Sequence, residues 1–313
     1  MSSVLAALRY IRLKLLICAI RLIVRLVTPR VHAKPDAVLR VPSRDAGRTV
    51  SVHVYSPSPA TSPNGPGEAS RTPRPVLINC FGSGFALPLF GADDLFCSEI
   101  SQRTGHVVLD VDYRLAPENP FPAALHDVED VVHHVLSRPD RYDAAQVSIS
   151  GFSSGGTLAL VVPTLFPANT FRSLITFYPS VSMARDPSER KAPVDDGPKG
   201  GRAPLFWTRL FRESYLGGMD PRDPRISPLY NADTVNYPRH MLIITAEYDA
   251  SASEAEEFAN SAEVNAQATD RRVILRRMRG CGHNFDKSKK HVTARDEAYA
   301  LANDLLTRRL NEQ

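Results

Sequence analysis

Residues 151–156, Gly-Phe-Ser-Ser-Gly-Gly, constrain the fold of this chain more than any other stretch. Apolar and polar residues alternate over residues 145–150 just before it, and residues 157–162 just after it are largely apolar. The alternation predicts a short strand, and the apolar run predicts a helix. A Gly-x-Ser-x-Gly turn at such a junction pushes its serine hydroxyl clear of the sheet, at the amino end of a helix whose dipole favours negative charge. The pattern therefore predicts that Ser153 is a nucleophile.

The rest of the chain alternates predicted strands with predicted helices. This alternation indicates a mostly parallel, eight-stranded sheet with helices on both faces. The first two of the eight strands are predicted to pair with each other. The strands are predicted over residues 38–41, 48–55, 75–80, 106–113, 145–150, 171–178, 240–245 and 272–278, and helices over 92–103, from 122, over 157–162 and near 294–310. The alternation of strands and helices stops over residues 181–216, which contain many prolines, glycines and charged residues. We predict that this segment is an insertion that forms a lid.

Charge is distributed unevenly along the chain. Of the net charge of +4, residues 1–30 contribute six bases and no acid, so that the remainder carries 32 bases and 34 acids. Nucleic-acid binding depends on neutralising phosphates over a basic face, which a nearly neutral body does not offer. We therefore expect no nucleic-acid partner.

The four cysteines, Cys18, Cys80, Cys97 and Cys281, form no Cys-x-x-Cys pair and show no metal-ligand spacing. They are too few for a disulfide framework in a chain of 313 residues. The pattern favours buried free thiols in an intracellular, cytoplasmic protein, and no metal or cofactor is expected.

The N-terminal segment, residues 1–34, is predicted to be a separate unit ahead of a catalytic domain over residues 35–313. Residues 4–27 form a long apolar helix candidate with scattered bases, but the longest apolar run, 15–20, is too short to span a bilayer. Two interpretations stay open: an interfacial helix that contacts a membrane peripherally, or a helix packed over the active-site mouth as part of a cap. A transit peptide is a weaker third.

A serine hydroxyl needs a base to take its proton and an acid to orient that base. Asp249 follows the strand predicted over 240–245, and His283 lies in a glycine-containing loop after the strand predicted over 272–278. Parallel strands bring such loops to one edge of the sheet, in the chain order serine, acid, histidine. We therefore predict Ser153, Asp249 and His283 as the catalytic triad, with Glu247 as an alternative orienting acid.

A loop of small residues follows the strand predicted over 75–80. Its sequence, Cys-Phe-Gly-Ser-Gly-Phe over residues 80–85, allows backbone amides to approach a substrate closely. We assign the predicted oxyanion hole to Gly82, Ser83, Gly84 and Ser154, with Ser83, Gly84 and Ser154 as the expected donors.

Residues 112–124, Asp-Tyr-Arg-Leu-Ala-Pro-Glu-Asn-Pro-Phe-Pro-Ala-Ala, resemble the signature of the hormone-sensitive-lipase-like carboxylesterases, the α/β hydrolase-3 group. Residues 223–229 are also similar to the segment that follows the lid in that family. The resemblance extends over about residues 75–310. It implies an α/β-hydrolase fold, the same triad, and a helical cap formed by the N-terminal helices and the 181–216 insertion.

The chain departs from the family pattern at three places. In the oxyanion motif His-Gly-Gly-Gly, Phe81 replaces histidine and Ser83 replaces the middle glycine. At the elbow, Phe and Ser stand at 152 and 154 where Asp and Ala are usual, and Ala-Ser follows Asp249 where Pro-Leu is expected.

These observations predict a serine carboxylesterase that cleaves a small to medium, apolar ester through an acyl-enzyme. An amidase, lactonase or acyltransferase would use the same residues, and a non-catalytic ligand-binding member of the fold is a further alternative. A homodimer is left open. The predicted substrate pocket is lined by four aromatic residues: Phe85, Phe152, Trp207 and Phe211.

Overall fold

The structure, a computed structural model, describes residues 2–27, 33–58, 72–194, 204–231, 235–266 and 271–310. Part of the predicted lid, residues 195–203, and residues 28–32 of the predicted N-terminal unit lie outside this range. Within the described ranges, no helix is both long enough and apolar enough to cross a membrane.

An eight-stranded sheet forms the centre of the molecule and confirms the predicted architecture. Its spatial order is β1-β2-β4-β3-β5-β6-β7-β8; β1 and β2 are antiparallel, β2 and β4 are antiparallel, and the remaining neighbours are parallel. The strands are β1 (Ala37–Pro42), β2 (Thr49–Tyr55), β3 (Arg74–Cys80), β4 (Val107–Asp112), β5 (Tyr142–Phe152), β6 (Ser173–Phe177), β7 (His240–Ala246) and β8 (Arg272–Met278).

In the described part of the chain, seven α-helices accompany the sheet. They are α1 (Ser2–Val27), α2 (Asp94–Thr104), α3 (Ala123–Leu136), α4 (Ser154–Val161), α5 (Leu205–Leu216), α6 (Ala252–Ala266) and α7 (Val292–Leu310). The sequence analysis did not predict α6, which begins three residues after Asp249. Short 3-10 turns lie at Val162–Leu165, Pro228–Tyr230, Phe285–Lys287 and Lys289–His291.

The two faces of the sheet bury separate hydrophobic clusters. Successive residues of β3 alternate between them: Ile78 joins the cluster under α3, α4 and α6, whereas Leu77 joins the cluster under α2 and α7. This is the packing expected of a parallel sheet, whose strands are apolar on both sides. The arrangement leaves the carboxyl ends of β3, β5, β7 and β8 together at one edge.

A third, smaller cluster joins α1 to α5. Ile17 and Ile20 of α1 are buried against Ala86 and Leu210, with Trp207 and Phe211 partly buried beside them. Polar contacts fasten the same helix to the body, because Arg9 and Arg12 pair with Glu213 at 2.7 and 2.8 Å, and Arg21 donates to the carbonyls of Ala86 and Ala116 and pairs with Glu118.

Candidate active site

The turn between β5 and α4 holds Ser153 in an unusual backbone conformation, with φ +52° and ψ −114°. A non-glycine residue at positive φ is strained, and such strain persists only where the surroundings enforce it. Here they do: a Cβ on Gly151 would lie 2.2 Å from the carbonyl oxygen of Gly155, and one on Gly155 would lie 1.9 Å from that of Cys80. Both glycines of the Gly-x-Ser-x-Gly motif are therefore required by close backbone approaches: Gly151 lies against α4, and Gly155 lies against the end of β3.

The structure brings the three side chains of the predicted triad into one hydrogen-bonded line. His283 Nε2 lies 2.9 Å from Ser153 Oγ, and His283 Nδ1 lies 2.7 Å from Asp249 Oδ2. Asp249 is 4% exposed, whereas Ser153 and His283 are half-buried. The serine hydroxyl and the imidazole can therefore both meet a bound molecule while the carboxylate is shielded.

Electrostatics favour charge separation along this line. Burial disfavours the imidazolium form of His283, but the Asp249 carboxylate and its hydrogen bond outweigh that cost, so the pKa of His283 is raised. Burial likewise works against ionised Asp249, yet the interactions with His283 and Ser251 prevail and its pKa is lowered. These opposite pKa shifts keep the Asp249 carboxylate ionised beside the His283 imidazole, which can gain and lose a proton.

Ser251 supports Asp249 through two hydrogen bonds. Its amide and its hydroxyl donate to Asp249 Oδ1 at 3.0 and 2.8 Å, opposite the oxygen that faces His283. The sequence analysis noted Ser251 only as a departure from the family and missed this role. A serine two residues after an aspartate, in a loop, is the signal that could have revealed it.

Glu247, the alternative acid, lies elsewhere. Its carboxylate accepts a hydrogen bond of 2.7 Å from the amide of Gly280, and Asp249 occupies the position beside His283 Nδ1. Glu247 thus ties the loop after β7 to the loop after β8 and does not orient the imidazole.

The predicted oxyanion loop lies beside the elbow. A Cβ on Gly82 would be 3.1 Å from the carbonyl oxygen of Phe152, and one on Gly84 would be 2.7 Å from the ring of Phe211. In the described part of the chain, the amides of Gly82 and Gly84 make no hydrogen bond. The amide of Ser154 begins α4, where first-turn amides lack intrahelical acceptors.

Ser83 differs from its predicted role. Its amide donates to Ser154 Oγ at 3.0 Å and is not available to a substrate oxygen in this geometry. The hydroxyls of Ser83, Ser154 and Tyr113 form a buried cluster, and the Tyr113 hydroxyl also donates to the carbonyl of Phe81. Two of the departures from the family motif, at 83 and 154, are therefore in direct contact with each other.

The four predicted pocket residues divide into two pairs. Phe152 and Phe85 are each 1% exposed and cannot line a pocket: Phe152 stacks on Phe177, and Phe85 stacks on Tyr215. These two predictions were wrong because a large aromatic side chain beside a site gains most from full burial. Trp207 and Phe211 are partly buried on the α1–α5 cluster, with Phe211 over Gly84.

A network of charged groups, which the sequence analysis missed, lies behind the elbow. The Lys287 ammonium pairs with the buried carboxylates of Asp93 and Asp286 at 2.6 and 2.8 Å and lies 4.4 Å from the centre of the Phe152 ring. Asp286 also accepts from the hydroxyls of Tyr178 and Tyr299. Phe152 therefore offers Lys287 a ring face at the position where the family usually has an aspartate.

A second arm of this network is held by Asn79. It donates to Asp110 at 2.8 Å and to Asp93 at 3.3 Å, and accepts from Ser150. Burial, with Asp93 nearby, raises the pKa of Asp110. Across the described ranges, no group of three or more His, Cys, Asp or Glu side chains is arranged to hold a metal ion.

Comparison with known proteins agrees with this fold. A family model described as alpha/beta hydrolase fold matches residues 77–287, and the chain belongs to that family. Within it, the chain is a member of the hormone-sensitive-lipase-like carboxylesterase group, a class of carboxylic ester hydrolases.

Individual relatives cover much of the chain. An ethyl acetate hydrolase of Pseudomonas putida is 26% identical over 282 residues, which are 88% of this chain and 84% of that enzyme. The carboxylic ester hydrolase LipN of Mycobacterium tuberculosis is 29% identical over 216 residues, 64% of this chain and 55% of LipN. The crystal structure of EstE1, a thermostable carboxylesterase from a metagenomic library, is 25% identical with a TM-score of 0.73, covering 95% of this chain and 97% of EstE1.

Proposed function

We propose that the protein hydrolyses small to medium, apolar carboxylic esters through a covalent acyl-enzyme. The observation that carries this proposal is the continuous hydrogen-bonded line from Ser153 through His283 to Asp249, with separations of 2.9 and 2.7 Å. Similarity to an ethyl acetate hydrolase supports an ester of a short alkyl alcohol as substrate.

Acylation follows from this geometry. Ser153 Oγ attacks the ester carbonyl carbon as His283 Nε2 takes the serine proton, and Asp249 stabilises the imidazolium. The tetrahedral intermediate collapses when the C–O bond to the alcohol breaks and His283 returns the proton to the departing oxygen. The acyl group is then bonded to Ser153, and a free alcohol leaves.

Deacylation repeats the same chemistry with water. His283 takes a proton from water, whose oxygen attacks the acyl carbonyl, and the proton returns to Ser153 Oγ as the ester bond breaks. The carboxylic acid leaves and the enzyme is restored. Both steps pass through an oxyanion, for which we propose the amides of Gly82, Gly84 and Ser154 as donors, each expected to contribute about 10²–10³ in rate.

We propose that α1 and α5 together form the cap of this site. Both helices pack beside the oxyanion loop, and Phe211 of α5 lies over Gly84. Trp207 and Phe211 are the partly exposed aromatic side chains there, and their apolar surface supports an apolar rather than a charged acyl group.

The test is hydrolysis of p-nitrophenyl esters of increasing acyl length by the wild type, Ser153→Ala and His283→Ala. We expect short and medium acyl chains to be cleaved by the wild type and kcat/KM to fall by about 10³-fold or more in each variant. Ser253→Ala, an exposed hydroxyl bonded to the Lys191 carbonyl, is the matched control. Undiminished activity in either triad variant would overturn the proposal, and cleavage of the matched amides in place of the esters would favour the amidase alternative.

A further inference from the structure

The outward face of α1 carries an uninterrupted apolar stripe. At 100° per residue, its members fall within about 60° of one another, directly opposite the buried Leu13, Ile17 and Ile20. They are largely exposed side chains: Val4 (61%), Leu8 (57%), Ile11 (52%), Leu15 (66%), Leu22 (58%) and Leu26 (75%).

A helix that is apolar on two opposite faces requires two apolar partners. The body of the protein covers the inner face, where Ile17 is 0% exposed. The stripe extends from residue 4 to residue 26, about 33 Å at 1.5 Å per residue. Single exposed leucines are ordinary on a protein surface, but a contiguous apolar row of this length marks an interaction surface.

The charges of α1 indicate what covers the stripe. The helix contains five bases and no acid. Arg9, Arg12 and Arg21 are engaged with acidic side chains of the body. Helical spacing places the other two bases, Lys14 and Arg25, along one edge of the stripe. The apolar stripe is therefore bordered by positive charge on that side. This is the pattern of helices that lie in the headgroup region of an anionic bilayer.

We propose that α1 docks the protein onto the surface of an anionic lipid bilayer. The stripe would enter the boundary between headgroups and acyl chains, with Lys14 and Arg25 against the lipid anions. The helix lies flat and does not cross the bilayer, because its inner face is committed to Ala86, Leu210 and the side chains around them. A second copy of the chain complements this surface less well, since two such helices would oppose bases with bases.

The same geometry connects docking to the candidate active site. The inner face of α1 packs against Trp207 and Phe211, and Phe211 lies over Gly84 of the oxyanion loop. A bilayer on the outer face of α1 is thus one helix diameter from α5, the other helix of the proposed cap. Docking itself does not depend on the proposed catalytic function.

The experiment is flotation of the full chain with vesicles of phosphatidylcholine alone and of phosphatidylcholine mixed with phosphatidylglycerol. We expect the wild type to float with the mixed vesicles, and less so as salt screens the headgroup charge. The double variant Leu15→Asp, Leu22→Asp should bind the mixed vesicles at least tenfold more weakly. The matched control, Leu95→Asp with Val264→Asp, also places two aspartates at exposed apolar positions, one in α2 and one in α6, and should float like the wild type.

Two readouts separate the outcomes. Hydrolysis of a soluble p-nitrophenyl ester should be equal in the stripe variant and the wild type, which shows that the variant is folded and distinguishes loss of docking from loss of catalysis. Light scattering reports the oligomeric state. Flotation of the stripe variant equal to the wild type, or no flotation of the wild type, would overturn the proposal; a wild-type dimer that the stripe substitutions convert to monomer, with no flotation, would assign the stripe to a second copy instead.

Discussion

Single residues show how this chain compensates for its departures from the family motifs. The amide of Ser83 donates to Ser154 Oγ, and the hydroxyls of both serines contact Tyr113. Neither serine is explained alone, but each supplies the partner that the other needs in a buried site. The two substitutions are best understood as one change.

This pairing predicts non-additive stability. Ser154→Ala alone leaves the buried Ser83 amide without its acceptor and should lower the free energy of unfolding by about 1–3 kcal/mol. Ser83→Gly and Ser154→Ala each remove the same contact of 3.3 Å between the two hydroxyls, so the cost of the double change should be smaller than the sum of the single changes by about 1 kcal/mol. Urea unfolding of the four proteins in the cycle measures this coupling, and strict additivity would refute it.

The His283–Asp249 pair predicts a particular pH dependence. His283 acts as a base only when neutral, and its pKa is raised, so kcat/KM should rise with pH through an apparent pKa above the ordinary value of about 6.5. Asp249→Asn removes the carboxylate that raises this pKa while burial remains. The rise of kcat/KM with pH should therefore move to lower pH in Asp249→Asn, while kcat falls by about 10³–10⁴-fold.

Complete pH–rate profiles of wild type and Asp249→Asn test this expectation. Ser253→Ala serves again as the control whose profile should not move. If kcat/KM of Asp249→Asn rises over the same pH range as that of the wild type, a group other than His283 controls the pH dependence.

The sequence could reveal the triad but not the groups around it. Ser153, Asp249 and His283 were predictable because each follows a recognisable strand, and parallel strands end at one edge. Phe85 and Phe152 were misassigned because sequence position does not report which way a side chain points at a turn with positive φ. Contacts between distant segments, such as Lys287 with Asp93, have no local pattern at all.

At the scale of elements, α1 combines two different faces. Ile17 is fully buried against the body, while Leu15, two residues away, is 66% exposed. The sequence left two interpretations of this helix open, as a cap or as an interfacial helix, because scattered bases blur its periodicity. Packing assigns the inner face to the body and leaves the outer face available to another partner.

A matched pair of substitutions in α1 tests this two-sided packing. Ile17→Ala should lower the free energy of unfolding by about 3 kcal/mol, since it leaves a cavity under the helix. Leu15→Ala should change it by no more than about 0.5 kcal/mol, because its side chain contacts solvent. Chemical denaturation compares the two. Equal effects would mean that α1 does not pack on the body as described.

For the molecule as a whole, one network connects the sheet to the loop that carries His283. Lys287 and Asp286 come just after that loop, Asp93 precedes α2, and Asn79 ends β3 beside Asp110 of β4. Two buried carboxylates, Asp93 and Asp286, share the Lys287 ammonium, and Asn79 connects Asp93 to Asp110. The relative placement of the elbow and the loop that carries His283 therefore depends on a few charged groups behind them.

Removing the Lys287 ammonium tests whether this network stabilises the fold. Lys287→Met should lower the free energy of unfolding by about 3 kcal/mol, at the low end for a broken buried pair because the side chain is 31% exposed. The loss should shrink as pH falls, because burial raises the pKa of Asp93 and its carboxylate becomes protonated. Lys289→Met, an exposed neighbour, is the control. Thermal unfolding of both variants over a pH series measures these effects. Equal, pH-independent losses of stability in Lys287→Met and Lys289→Met would contradict this role of the network.

The overall architecture was more accessible from sequence than its packing. All eight predicted strands are present, because each is a short segment that is apolar or mixes apolar with polar residues between turns, as in β2 and β8. The helix α6 was missed because its polar, alanine-containing sequence has a weak apolar periodicity, and its position is set by β7 and β8 beneath it. Burial of the aromatic residues was settled only by tertiary contacts.

The central claim is that Ser153 is the nucleophile, and covalent labelling with a fluorophosphonate followed by peptide mass analysis tests it most directly. The account predicts one adduct, on Ser153, that is absent in Ser153→Ala and forms far more slowly in His283→Ala. An adduct on another residue, or a wild type that cleaves esters yet acquires no label, would contradict it.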